Sequence, residues 1–178
     1  MMKKGISVLL VGVFLVGCAQ ATVAPTSEST IVPAAREPKH LEVTVVIEMH
    51  DMFFTDANGV KTNTFRIPSG KTVGIHIVNK GAIEHEIMFG RKLVQEANVP
   101  DGYTVSLMEN VPADVFVYPS GNKIEVETGG MVEEIELEPG ADLWLRVNFP
   151  AEAKGTWEIG CFVPGHYEAG MKAVFIIE

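Results

Sequence analysis

The stretch Gly160-Cys161-Phe162-Val163-Pro164-Gly165-His166-Tyr167-Glu168-Ala169-Gly170-Met171 gathers three metal-binding side chains, with four residues between Cys161 and His166 and four more between His166 and Met171. A turn at Pro164-Gly165 folds His166 back toward Cys161, and Gly170 permits a second bend before Met171, so the run can wrap around one ion. Thiolate, imidazole and thioether form a soft donor set that suits copper in both oxidation states, and such sites take two histidines and a cysteine in a plane with a long axial methionine. One histidine is missing from the run. Zinc is compatible with the spacing, but a thioether disfavours it. A nucleophilic Cys161 would need a base oriented by a third group, and that scheme has no part for Met171 or the Pro-Gly turn.

The candidate for the missing histidine is His85, at the end of Val78-Asn79-Lys80-Gly81-Ala82-Ile83-Glu84-His85-Glu86-Ile87, where an apolar run breaks at a glycine and then resumes. His40, His50 and His76 have no comparable partners in sequence, so structural or solvated roles are expected for them. Met49, Met52, Met88, Met108 and Met131 are scattered, and packing is the default for them.

The elements that must position these side chains read as strands. From Leu41 onward, short runs rich in Val, Ile, Phe and Thr alternate with Gly, Pro, Asn and Asp, the pattern of an all-β sandwich or barrel. Strands are predicted over Leu41–Met49, Asn63–Ile67, Thr72–Asn79, His85–Gly90, Val132–Leu137, Asp142–Phe149, Gly155–Cys161 and Met171–Ile177. Leu143, Leu145, Val147 and Phe149 share one face by period-two alternation, as do Met171, Ala173, Phe175 and Ile177, and these faces should form the core. The pattern weakens between Arg91 and Gly130, which reads as a loop-rich insertion.

Residues 41–178 resemble the cupredoxin family, through the His85 and Cys161–Met171 segments and through Met52-Phe53-Phe54 and Ile67-Pro68-Ser69-Gly70-Lys71-Thr72-Val73. The 75 residues between His85 and Cys161 are more similar to the azurin and auracyanin branch, with 91–130 as its flap, than to the shorter plastocyanin branch. The resemblance implies a Greek-key β-sandwich holding one copper, with His85, Cys161 and His166 as strong ligands and Met171 as the axial one. It implies a one-electron carrier rather than an enzyme, working as a monomer with redox protein partners. The exposed edge of His166 would be the electron port, rimmed by Phe162, Val163, Pro164 and Met88. One departure stands out: the residue after the first histidine is commonly Asn or Asp in the family and braces the cysteine loop, whereas here it is Glu86. A copper storage, delivery or sensing module is the alternative. Multicopper catalysis would need further histidines in His-x-His pairs, and the five histidines here form none.

At the other end, Lys3-Lys4 precede an apolar run from Ile6 to Val16 that is short for a membrane span, and Leu15-Val16-Gly17-Cys18 resembles a bacterial lipobox. The expectation is a signal over 1–17, a lipid on Cys18 anchoring the chain to a membrane, and a tether over 18–40 rich in Ala, Thr, Ser and Pro. The domain would then face the periplasm or cell exterior. A flexible segment of 22 residues from Ala19 to His40 spans roughly 26 Å. With Cys18 lipidated, Cys161 has no disulfide partner, since the chain has two cysteines. The balance of 14 basic against 23 acidic residues argues against nucleic acid as a partner, because phosphate binding needs Lys and Arg.

Overall fold

The computed structural model describes residues 36–118, 121–128 and 131–178. The signal at 1–17, the lipidation site Cys18 and the tether as far as residue 35 lie outside the described residues. Among the described residues no helix is long and apolar enough to cross a membrane.

Runs of β-branched and aromatic residues, unable to settle into helices without crowding, form strands that pair into two mixed sheets. The first has the order β2-β1-β4-β10-β7 and contains β1 (Val43–His50), β2 (Phe53–Thr55), β4 (Thr72–Asn79), β7 (Ala113–Val117) and β10 (Asp142–Asn148). The second has the order β3-β12-β11-β5-β9-β8, with β6 paired to β5. Its strands are β3 (Thr64–Ile67), β5 (His85–Glu96), β6 (Val99–Ser106), β8 (Ile124–Thr128), β9 (Val132–Leu137), β11 (Gly155–Gly160) and β12 (Lys172–Ile177). Two pairs, β1 with β4 and β3 with β12, are parallel, and the remaining ladders are antiparallel.

The sheets close on each other through the faces that alternation predicts. Leu143, Leu145, Val147 and Phe149 from one side meet Phe175, Ile177, Ile87 and Ile135 from the other, all buried. Phe175 alone packs edge-on against Phe89 and Phe149. Each such side chain contributes about 1.5–3 kcal/mol by leaving water. Trp144, on the outward face, is buried as well, because its ring stacks on His76 at 4.3 Å.

The described residues of the segment 91–130 are mostly strand, not loop. β5 continues through it to Glu96 and reverses at Ala97 and Asn98, both at positive φ, to return as β6. Val99-Pro100-Asp101-Gly102, which reads as a turn, begins that returning strand; proline is tolerated there because β6 is an edge strand. β7 then completes the edge of the first sheet and β8 that of the second.

Candidate metal centre

The parallel ladder of β1 and β4 sets Met49 opposite Asn79, so the turns that follow these two strands lie side by side. Asn79, fully buried, pins the second turn: its Nδ2 donates to the carbonyls of Ile83 (2.8 Å) and Leu137 (2.7 Å), and its Oδ1 accepts the Gly81 N–H (2.8 Å). His85, the first residue of β5, is thereby delivered to a fixed place at the end of the sandwich.

The second part of the site is the loop from β11 to β12. The His166 N–H donates to the Val163 carbonyl (2.9 Å), closing the turn that Pro164 and Gly165 make, with Gly165 at φ 87°. Met171 then donates its N–H to the His166 carbonyl (3.0 Å) and accepts at its own carbonyl from the Cys161 N–H (3.1 Å). Cys161 and Met171 thus leave and rejoin the sheet as neighbours. Gly170 sits at φ 99°, a conformation that costs a residue with a Cβ about 1–2 kcal/mol.

These two pieces bring three of the expected ligands together. His85 Nδ1, Cys161 Sγ and His166 Nδ1 all lie within 4.8 Å of one another, forming the one such group among the described residues. His85 Nδ1 is 3.3 Å from His166 Nδ1, and Cys161 Sγ is 3.3 Å from His166 Nδ1 and 4.0 Å from His85 Nδ1. Three donors around one ion at trigonal angles stand about 3.5–3.8 Å apart, given metal–nitrogen and metal–sulfur bonds near 2.0 and 2.3 Å. The triangle therefore fits a single metal ion. His85 and Cys161 are 0% exposed and His166 5%. Converging lone pairs in so dry a place repel unless a proton or cation lies between them, and this soft donor set fits copper. Met171, the expected fourth ligand, is also fully buried, and its backbone is bonded to those of Cys161 and His166.

Two residues that support the site were not foreseen. Asp51, in the turn between β1 and β2, accepts the His85 Nε2–H at Oδ1 (3.2 Å) and the Ala82 N–H at the same oxygen (2.9 Å). This bond fixes the imidazole tautomer, leaving Nδ1 as a free donor toward the pocket. Burial holds His85 below the usual imidazole range, opposed by the bond to Asp51. The Ala82 N–H and the His85 bond hold Asp51 below the ordinary carboxylate value. Gly81 makes the contact possible, since a Cβ there would collide with Asp51 Oδ1 and stand 2.6 Å from His85 Nε2.

Glu86 occupies the bracing position and does part of that work with its backbone: its N–H points at Cys161 Sγ (3.4 Å). Its side chain is buried, with Oε1 unpartnered among the described residues, and burial, reinforced by Glu134 and Glu136, pushes its carboxyl up to about 8. Burial also pushes the Cys161 thiol up to about 11, against the Glu86 and Val163 N–H groups. A metal must therefore displace a proton to bind.

Around the site, Val163 is half-buried and Pro164 exposed, while Ile83, on the turn leading to His85, is 43% exposed. Phe162, expected on the rim, is instead turned inward, between Tyr103 and Tyr167. Met88 lies against Gly102 on β6. Of the other histidines, His76 is engaged with Asp142 (2.7 Å) and Trp144, His50 with Thr55 (3.2 Å) and Phe53, and His40 is exposed.

No protein-family model and no curated protein matches the sequence. Among solved structures, the chain is similar to a dithionite-reduced auracyanin from the photosynthetic bacterium Roseiflexus castenholzii, at 18% identity and TM-score 0.47 over 78% of this chain and 99% of that one. It is similar to rusticyanin from Thiobacillus ferrooxidans at 19% identity and TM-score 0.44, over 76% of this chain and 77% of that one. A multicopper oxidase matches at 14% identity and TM-score 0.50 over 80% of this chain, which spans 46% of that protein. At such identities the likeness concerns the fold alone. Two mixed sheets facing each other are the layout of the cupredoxin β-sandwich. The chain has that fold, and its His85, Cys161 and His166 form one buried group.

Proposed function

We propose that the protein is a mononuclear type 1 copper electron carrier, with His85, Cys161 and His166 as strong ligands and Met171 as the axial one. The observation that carries the proposal is the convergence of two imidazole nitrogens and one thiol sulfur, at 3.3 to 4.0 Å, in a pocket closed to water. Copper bound there supplies one-electron redox chemistry. The protein's own part is to hold the donors still, with Asn79 fixing the His85 turn, Asp51 the imidazole and the Cys161–Met171 backbone pair the loop, so that little rearranges between oxidation states.

Burial of all four side chains favours retention of the metal over its delivery to an acceptor. His166, whose Nδ1 faces the pocket, is the electron port, with Val163 and Pro164 as the apolar rim on which a partner docks briefly. The outward face of β8 and β9 carries Glu125, Glu127, Glu134 and Glu136, so the partner approaching from that side is a basic redox protein. Cys18 carries the lipid that tethers this carrier outside the cytoplasm.

Repeated electrochemical cycling of the copper-loaded protein, followed by a metal count, tests the proposal. A reversible one-electron wave with copper retained is expected. Loss of the metal to a chelator on the first reduction would favour delivery instead.

A further inference from the structure

Beside Cys161, three aromatic rings and one carboxylate form a cluster that holding a metal does not require. Phe162 lies between Tyr103 of β6, edge-on at 5.0 Å, and Tyr167 of the loop, stacked at 5.1 Å. Both phenols donate to one oxygen, Glu158 Oε1, at 3.0 Å from Tyr103 and 2.6 Å from Tyr167. Two glycines make room for this arrangement. A Cβ on Gly160 would stand 2.7 Å from Tyr103 Oη and 3.0 Å from Tyr167 Cδ2, and one on Gly90 would stand 2.6 Å from Tyr103 Cγ. The chain thus omits two side chains where strand packing would welcome them, and a phenol is seated against the backbone next to the cysteine.

Charge separates the members of the cluster. The Lys172 ammonium lies 4.2 Å over the Tyr167 ring, and the Arg91 guanidinium 4.1 Å over Trp157. A cation on a ring face is attracted by the ring's electrons and opposes removal of one of them. Tyr103 has the carboxylate and, among the described residues, no cation over its face. It is also only half-buried, whereas Tyr167 is buried. Tyr103 is therefore the ring of this cluster most easily oxidised and most easily reached from solvent.

We propose that Tyr103 is a redox-active tyrosine, with Glu158 as its proton acceptor, through which a strong one-electron oxidant meets the protein at the β6 face instead of at Cys161. In this step one electron leaves the Tyr103 phenol for the oxidant and the Oη–H bond breaks. The proton passes to Glu158 Oε1, already within hydrogen-bond reach, leaving a neutral tyrosyl radical and a protonated carboxyl. In the reduced, metal-loaded protein an electron then returns by way of Phe162 and Cys161, and the proton goes back to Tyr103. This return step alone rests on the copper proposal. The oxidant is quenched without driving the cysteine to its irreversible acids.

The test is laser flash-quench oxidation by a ruthenium(III) polypyridyl complex, read by transient absorption and electron paramagnetic resonance, on protein carrying Tyr118→Phe to remove the exposed third tyrosine. Metal-free protein is expected to give a tyrosyl signal that Tyr103→Phe abolishes, Tyr167→Phe leaves in place and Glu158→Gln slows. A signal that survives Tyr103→Phe, or one that Glu158→Gln leaves unchanged in rate, overturns the proposal. With reduced copper bound, the tyrosyl should decay as the oxidised metal's colour rises. A protein that gives the Tyr103 radical but takes up no copper refutes the copper proposal and leaves the tyrosine site standing; a blue protein without the radical does the reverse.

Discussion

Removing the carboxylate behind His85 separates a positioned imidazole from one that merely lies nearby. In Asp51→Ala the His85 Nε2–H loses its acceptor at 3.2 Å and the Ala82 N–H loses its own at 2.9 Å, so both the ring and the turn that delivers it are loosened. Loss of such an outer partner typically costs 10–100-fold in metal affinity. The Asp51 side chain is 47% exposed, so water takes over part of its role and the lower end, about tenfold, applies. The oxidised ion carries the greater charge and bears most of this loss. If the reduced ion bears none of it, a tenfold loss raises the reduction potential by about 59 mV. Chelator competition for each oxidation state, together with voltammetry, measures both quantities. Asp51→Asn, which keeps an acceptor oxygen but no charge, should fall between the parent and Asp51→Ala. An Asp51→Ala protein with unchanged copper affinity and potential would refute the idea that this contact orients and charges the ligand.

Gly81→Ala puts a methyl group into the Asp51–His85 contact and should weaken copper binding more than Asp51→Ala, as chelator competition will report; equal affinities would mean the turn yields freely. Met171→Leu should keep the colour and raise the potential, and loss of the colour would show that Met171 does more than cap the site. Glu86 gives a pH signature in metal-free protein. Its carboxyl is neutral in the fold up to about 8 but ionises near 4.5 when unfolded, so its stabilising contribution is complete below 4.5 and is lost as pH rises to about 8. Glu86→Gln should therefore match the parent near pH 4 and exceed it by roughly 5 kcal/mol at pH 9, read from denaturant midpoints; a gain that does not vary with pH would contradict the assignment.

The loop between β11 and β12 was legible because its three donors lie within one short run, where turn residues and ligand spacing coincide. His85 was found by the break in an apolar strand. Asp51 was not, because nothing in its neighbourhood marks it: it meets His85 only through the parallel pairing of β1 with β4, a contact between strands far apart in sequence. Gly81 looked like an ordinary turn glycine until Asp51 Oδ1 was found where its side chain would be. In 91–130 the turn-forming residues misled, since Pro100 and Gly102 lie within an edge strand, and the solvent-facing residues of β5 and β6 weaken the apolar alternation. Phe162 was expected at the rim because it neighbours Cys161, but Tyr103, sent back by the β5–β6 reversal, holds it inward.

The most direct measurement is the visible spectrum of the purified protein on addition of Cu(II), alongside Cys161→Ser. One equivalent of copper should produce an intense thiolate-to-copper charge-transfer band in the parent and none in the variant. A parent protein that stays colourless, or a band that survives in Cys161→Ser, would contradict a copper centre built on His85, Cys161 and His166.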